Sequence, residues 1–335
     1  MVKSRAAGAD ELTDGDELEY FLCSADCRAR FEPPIPETYF GITYYHVVAD
    51  ANTLIRFLKL WASIAKLGGD EASSDGGSLP FDGRIVRELR EDPSGLETSL
   101  WIQNREINLE DQLQYPDLTN KVRATFVMSQ ANVQKLKKLV SKRQPESLHA
   151  STFTVICAYV WVCILKSRAA MEIAGEDELE YFGFTADCRT RLDPPVPETY
   201  FGNCLTICFA IAKKSQLVGD EGFLTATALI GEAISKRPQN EEGVLKAMEN
   251  FFLKMTEMKW ERAVGVAGSP KLGFYSTDFG WGKPLKSEII SIDRTGAISL
   301  SECRDKEGDI EVGLSFPKIQ MDAFASIFAD GLEIL

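Results

Sequence analysis

An α/β protein is the fold class this chain predicts, on three observations. Short apolar runs alternate with longer segments whose apolar residues recur at helical spacing. Helix punctuation, with a Ser before a periodic stretch and Gly or Pro after it, recurs along the chain. The C-terminal part reads as three strands and a helix divided by glycine turns.

In chain order, Ile42–Val48 reads as a short apolar strand. Asn52 or Thr53 can cap the helix that follows, whose broad apolar face holds Leu54, Ile55, Phe57, Leu58, Trp61, Ile64 and Ala65, and Gly68-Gly69 stops it. Residues 70–120 are rich in Gly, Ser, Asp and Pro and show little periodicity. Val122–Met128 reads as a strand, and Ser129 caps a helix over Gln130–Lys142 with Val133, Leu136, Leu139 and Val140 on one side. Phe153–Lys166 is an apolar helix, Leu179–Thr185 and Cys204–Ala212 are strands, and Pro194-Pro195 and Pro197 mark the turn between them. Leu217–Arg237 and Glu241–Lys259 read as two helices around a break at Pro238. Strands over Glu288–Ile292, Ala297–Glu302 and Asp309–Phe316 turn at Thr295-Gly296 and Glu307-Gly308. A last helix from Ile319 to about Leu332 carries Met321, Phe324, Ile327 and Phe328.

The 335 residues suffice for one large core or two moderate ones, and their apolar fraction of 44% is ordinary for a globular protein. The net charge of −13, with no long basic run, argues against a nucleic-acid partner. The longest apolar run, Phe153–Leu165, is short for a membrane span, and Lys3 and Arg5 lead into acidic sequence rather than an apolar signal segment. A cytoplasmic protein without membrane contact is expected. The eight cysteines have no Cys-x-x-Cys spacing, so neither a metal site nor a disulfide framework is expected.

One segment occurs twice. Residues 16–41 and 177–202 are identical at 19 of 26 positions without a gap, and Lys3-Ser4-Arg5-Ala6-Ala7 returns as Lys166-Ser167-Arg168-Ala169-Ala170. Two copies are too few for a stacked-repeat architecture. The second copy follows a helix and precedes a strand, whereas the first opens the chain.

Two short motifs stand out. Histidine suits proton abstraction near neutral pH, and the chain has only His46 and His149. His46 closes an apolar strand and opens His46-Val47-Val48-Ala49-Asp50; His149 lies in a polar loop. Asp50 sits too close along the chain to orient His46 as in a nucleophilic triad. Far downstream, Asp278-Phe279-Gly280-Trp281-Gly282-Lys283-Pro284 packs two aromatic rings between glycines, a composition suited to a rigid turn.

A His-x-x-x-Asp followed late in the chain by Asp-Phe-Gly-Trp-Gly resembles the plant BAHD acyl-CoA-dependent acyltransferases. Tyr200-Phe201-Gly202-Asn203-Cys204 resembles their malonyltransferase branch, which acts on phenolic glucosides and anthocyanins. The resemblance implies a chloramphenicol-acetyltransferase-like two-domain fold. It implies acyl transfer, malonyl foremost, from acyl-CoA to a hydroxyl of a phenolic or flavonoid glucoside, with His46 as general base. It implies no permanently bound cofactor, and a monomer.

By the same resemblance Asp50 pairs with an arginine, Arg189 or Arg191, and Asp278, Phe279, Gly280, Trp281 and Gly282 brace the channel without taking part in chemistry. Relatives commonly carry Gly where this chain has Ala51. Lys166 and Arg168 at one helix end, with Ser151 and Thr152 at that helix's start, are candidate contacts for coenzyme A phosphates. Arg56 is a candidate for the malonyl carboxylate, and Tyr200, Phe201, Gly202 and Asn203 for substrate or coenzyme A. The implied organisation is a duplicated copy over 1–41, a remnant of an N-terminal domain over 42–72, a crossover over 73–120 and an acyltransferase domain over 121–335. With most of the N-terminal domain expected to be missing, an inactive relative or decoy is the alternative reading.

Overall fold

The computed structural model describes residues 18–25, 38–46, 48–67, 120–144, 150–169 and 177–334, the last span with gaps at 239, 241–242, 245, 248–249, 252–253 and 255–257. His149, Gly68-Gly69 and nearly all of the expected 73–120 crossover lie outside the described residues.

Two sheets organise the chain. Strands β1 (Leu18–Ala25) and β2 (Thr38–Tyr45) lead to helix α1 (Ala51–Leu67). Next come β3 (Lys121–Met128), α2 (Gln130–Arg143), α3 (Thr152–Ala169), β4 (Leu179–Asp187) and β5 (Leu205–Lys213). Helices α4 (Lys214–Val218) and α5 (Gly222–Ser235) precede β6 (Ala263–Ala267), β7 (Pro284–Ile289) and α6 (Ile292–Thr295). Strands β8 (Ile298–Glu302) and β9 (Ile310–Pro317) and helix α7 (Lys318–Glu333) follow. The larger sheet runs β3-β9-β8-β6-β4-β5 and the smaller β2-β1-β7. The larger is mixed: β4 and β6, and β6 and β8, pair parallel, and its other neighbours pair antiparallel.

Helix α3 is apolar on every side and is buried on every side. From Thr154 to Leu165 each side chain is withdrawn from solvent, with Trp161, Ile164 and Leu165 fully enclosed. Burying each such large apolar side chain contributes about 1.5–3 kcal/mol. The same core takes in Phe182 of β4, Ile230 of α5, Val312 and Leu314 of β9 and Phe324 of α7. The full helix is longer than its apolar run suggested, and by length and composition alone it could cross a membrane; here 72% of it lies inside the protein.

The duplicated copies fold alike over their opening strands and differ at their last residues. Leu18–Ala25 and Leu179–Ala186 both form strands. The identical Tyr39-Phe40-Gly41 then lies inside β2, whereas Tyr200-Phe201-Gly202 lies in the loop before β5. Flanking sequence explains the split. After Gly41 come Ile42, Thr43, Tyr44 and Tyr45, a β-favouring run that extends the strand. After Gly202 comes Asn203, whose side chain is drawn to another part of the protein.

Several element boundaries differ from expectation. The helix expected over Leu217–Arg237 is two helices, α4 and α5, broken at 219–221. The strand expected over Glu288–Ile292 is β7 at Pro284–Ile289, because Ile292 turns into α6 and buries its side chain there. On α1 the apolar stripe is narrower than expected. Leu54, Ile55, Leu58 and Ala62 are buried, the first three against Leu272, Phe274, Ile289 and Ile292, while Phe57, Trp61 and Ile64 reach the surface.

Candidate active site

His46 lies in the turn between β2 and α1 and is half-buried, its ring 6.1 Å from that of Tyr44. The residue that starts α1 is Asp50, not Asn52 or Thr53. Its Oδ1 accepts from Thr53 N at 2.9 Å and its backbone carbonyl accepts from Leu54 N at 2.9 Å, which makes Asp50 the helix N-cap. Its Oδ2 lies 2.8 Å from Arg189 Nη2 and accepts from Cys204 N at 3.1 Å. One fully buried carboxylate thus caps the helix after the histidine and ties that helix to the loop over residues 188–204.

Of the two candidate arginines the structure selects Arg189. The short 3₁₀ turn Arg189–Arg191 directs it inward, where Nη1 reaches Asp187 at 2.7 Å and Nη2 also donates to Thr53 Oγ1 at 3.1 Å and to the Gly202 carbonyl at 3.2 Å. Tyr200 lies beneath its guanidinium at 5.9 Å. Burial opposes the Arg189 charge, but the Asp50 and Asp187 carboxylates outweigh it and hold the group above its usual pKa. Arg191 instead donates to the Asp187 carbonyl.

Asn203 Nδ2 donates to the His46 backbone carbonyl at 2.6 Å. Gly202, next to it, accepts from Thr53 Oγ1 at 2.9 Å and adopts φ +151°; a Cβ there would fall 2.3 Å from Tyr200 Oη. The Tyr200–Cys204 segment therefore holds the His46–Asp50 turn through backbone and side chain together.

Helix α1 joins the two motifs. At 1.5 Å per residue its first and last turns are roughly 20 Å apart. Near the last turn Lys66 Nζ meets Asp278 Oδ2 at 2.7 Å, and Trp61 packs edge-on to Phe279 with ring centroids 5.3 Å apart. Asp278 Oδ1 accepts from Gly280 N at 2.9 Å and Gly282 N at 2.8 Å, closing the loop, while Trp281 stacks on Phe279 and is 37% exposed. The lysine bond and these loop amides hold the Asp278 carboxyl below the usual range. The aromatic loop is thus a far-end brace on the helix whose near end follows His46.

Other candidates separate. Arg56 donates to the Glu198 carbonyl and lies 3.8 Å from the Glu198 carboxylate, which ties it to the loop over residues 188–204. Lys166 and Arg168 cannot share one anion pocket with Ser151 and Thr152, because these pairs occupy opposite ends of α3, roughly 24 Å apart. Arg168 faces the buried Glu180 at 3.6 Å. Ser151 Oγ caps α3 by accepting from Thr154 N at 3.1 Å, and Thr152 Oγ1 accepts from Lys137 Nζ at 2.9 Å. Thr152 also lines a cleft of about 520 Å³ with Gln130, Gln134, Arg304 and Asp309. Phe153 and Phe184 rings 5.3 Å apart put this end of α3 near the end of β4 that carries Asp187.

Residues that the motif reading missed lie on one face of α1. Asn52 Nδ2 donates to Asp187 Oδ2 at 2.8 Å, Lys59 Nζ to the Leu272 carbonyl at 2.9 Å, and Lys66 to Asp278. With Arg56 they recur at helical spacing, a signal present in the sequence but hidden by the apolar residues between them.

The fold is shared with solved structures. Vinorine synthase superposes with a TM-score of 0.59 at 21% identity, over 86% of this chain and 61% of that one. F. sporotrichioides TRI101, solved with coenzyme A and T-2, gives a TM-score of 0.57 at 15% identity, over 85% of this chain and 65% of that one. At such identities the likeness establishes the fold alone. The sequence pattern of the Transferase family covers residues 40–330, and the chain belongs to that family, the BAHD acyltransferases. Among its relatives, malonyl-coenzyme A:anthocyanin 3-O-glucoside-6''-O-malonyltransferase of Dahlia pinnata is 42% identical over 300 residues, covering 88% of this chain and 63% of that protein. Phenolic glucoside malonyltransferase 1 of Nicotiana tabacum is 42% identical over 302 residues, covering 88% and 65%. The chain therefore spans under two thirds of these relatives' lengths.

Proposed function

We propose that the chain transfers an acyl group, malonyl foremost, from coenzyme A to a hydroxyl of a phenolic or flavonoid glucoside, with His46 as general base. The hydroxyl gives its proton to the His46 ring as its oxygen attacks the thioester carbonyl. The tetrahedral intermediate then collapses, the C–S bond breaks, and the coenzyme A sulfur leaves with the proton returned from His46.

The observation that carries this reading is the hold on the His46 turn. Asn203 fixes the His46 carbonyl and Asp50 fixes the helix directly after it, so the imidazole stands on immobilised backbone. Support for the donor and acceptor comes from the relatives' names and from TRI101 solved with coenzyme A. Within this chain the α3 N-terminus, with Lys137 beside Thr152 at the edge of the 520 Å³ cleft, offers donors to one phosphate group.

The test incubates purified protein with malonyl-CoA and a panel of phenolic and anthocyanidin glucosides, and follows free coenzyme A and malonylated product. Turnover that disappears in His46→Ala supports the assignment. A cooperatively melting protein without turnover assigns the chain to the non-catalytic alternative.

A further inference from the structure

The loop over residues 188–204 leaves β4 and returns on β5, and its two ends face each other. Asp187 lies opposite Leu205 in the β4–β5 ladder, and one step outward Cys188 N donates to the Cys204 carbonyl at 2.9 Å. Cys188 has left strand geometry (φ −106°, ψ −5°), but its N–H bond to the Cys204 carbonyl still holds the two Cα atoms roughly 5–6 Å apart, within the roughly 4.4–6.8 Å that a disulfide spans. Both side chains enter the same small apolar cluster, shared with Val196, and both thiols are free. They are 1% and 9% exposed, so a sulfur of either meets protein rather than water.

We propose that Cys188 and Cys204 form a reversible disulfide that latches this loop closed. The ring so formed contains Arg189, Gly202 and Asn203, the residues that hold Asp50, Thr53 and His46. With hydrogen peroxide as oxidant, two S–H bonds break and one S–S bond forms. The two electrons and two protons released cleave the O–O bond and leave two waters. Cys208 is the competing thiol on β5, but it stands opposite Phe184 rather than Cys188. The proposal is independent of the acyl-transfer reading.

Burial pushes the Cys204 thiol up to about 11 and the Cys188 thiol above its usual value, so thiolate is scarce at neutral pH. The latch therefore closes slowly near pH 7 and faster as pH rises, and once closed it restricts the unfolded chain and raises stability.

The experiment treats the folded full-length protein with dilute hydrogen peroxide across a pH series, then counts thiols in denaturant and maps linked peptides. The expected result is loss of two of the eight thiols, a Cys188–Cys204 peptide, and a Tm higher by several degrees that dithiothreitol reverses. Cys188→Ser or Cys204→Ser removes the shift, and Cys208→Ser keeps it. A link from Cys204 to any other cysteine, oxidation that proceeds only in urea, or a Cys188–Cys204 link without a rise in Tm overturns the proposal. Where a serine variant fails to fold, peptide mapping of the unsubstituted chain decides.

Discussion

Arg189 Nη2 and Asp50 Oδ2 meet at 2.8 Å in a buried pair that joins a 3₁₀ turn following β4 to the cap of α1. Because both charges are withdrawn from water, removing either leaves its partner uncompensated. Asp50→Ala and Arg189→Ala should each cost about 3–5 kcal/mol of stability, read as a lower urea midpoint. Arg189→Lys should recover only part, since an ammonium cannot reach Asp50, Asp187 and the Gly202 carbonyl at once. Full recovery by lysine would show that charge alone matters there.

Asn203 should separate function from stability. Its hydrogen bond to His46 contributes only about 0.5–1.5 kcal/mol net, so Asn203→Ala should shift Tm by little. Displacement of the His46 turn should nevertheless lower kcat on the order of 10- to 100-fold, with KM changing less. Unchanged turnover in this variant would remove Asn203 from the positioning machinery.

Gly202→Ala tests the backbone of the same loop. Alanine at φ +151° is strained, and its Cβ would strike the Tyr200 ring. A loss of about 1–3 kcal/mol is expected in thermal or urea unfolding. The Tyr200→Ala background should relieve the collision while keeping the φ penalty, so that the two variants combined cost less than their sum.

Asp278 predicts a pH signature. Its carboxyl is held below the usual range in the folded protein by Lys66 and the Gly280 and Gly282 amides. A depressed folded pKa means stabilisation that is present above the unfolded value, about 3.9, and is lost as pH falls through the folded value. The stability difference between the unsubstituted chain and Asp278→Asn should thus be largest above about pH 5 and shrink with acidification below 4. Lys66→Met should cost less than Asp278→Ala, because the partly exposed ion pair contributes under about 1 kcal/mol whereas the loop amides lose their acceptor altogether. A larger effect at Lys66 would contradict this ordering.

Elements whose signal is local were legible in the sequence. Ser129 before α2, the uninterrupted apolar run of α3 and the alternation of the C-terminal strands and helix need only nearest neighbours to be read. Boundaries failed where distant residues decide them. Ile292 leaves the expected strand to fill the core beside α1, and Phe57 and Trp61 of α1 share the apolar character of Leu54 and Leu58 yet reach the surface. Periodicity identifies a face but not how much of it another element will cover.

For the candidate site, sequence alone singled out the candidate residues: one histidine with an aspartate four residues on, and an aromatic loop rich in glycine. Tertiary structure decided what each is tied to. It chose Arg189 over Arg191, turned Asn203 onto the His46 carbonyl, and gave Tyr39-Phe40-Gly41 and Tyr200-Phe201-Gly202 different conformations. The physical reason is that a hydrogen bond or ion pair forms between atoms about 3 Å apart, and residues separated by more than 130 positions reach that distance only after the sheet has fixed where the loops begin and end.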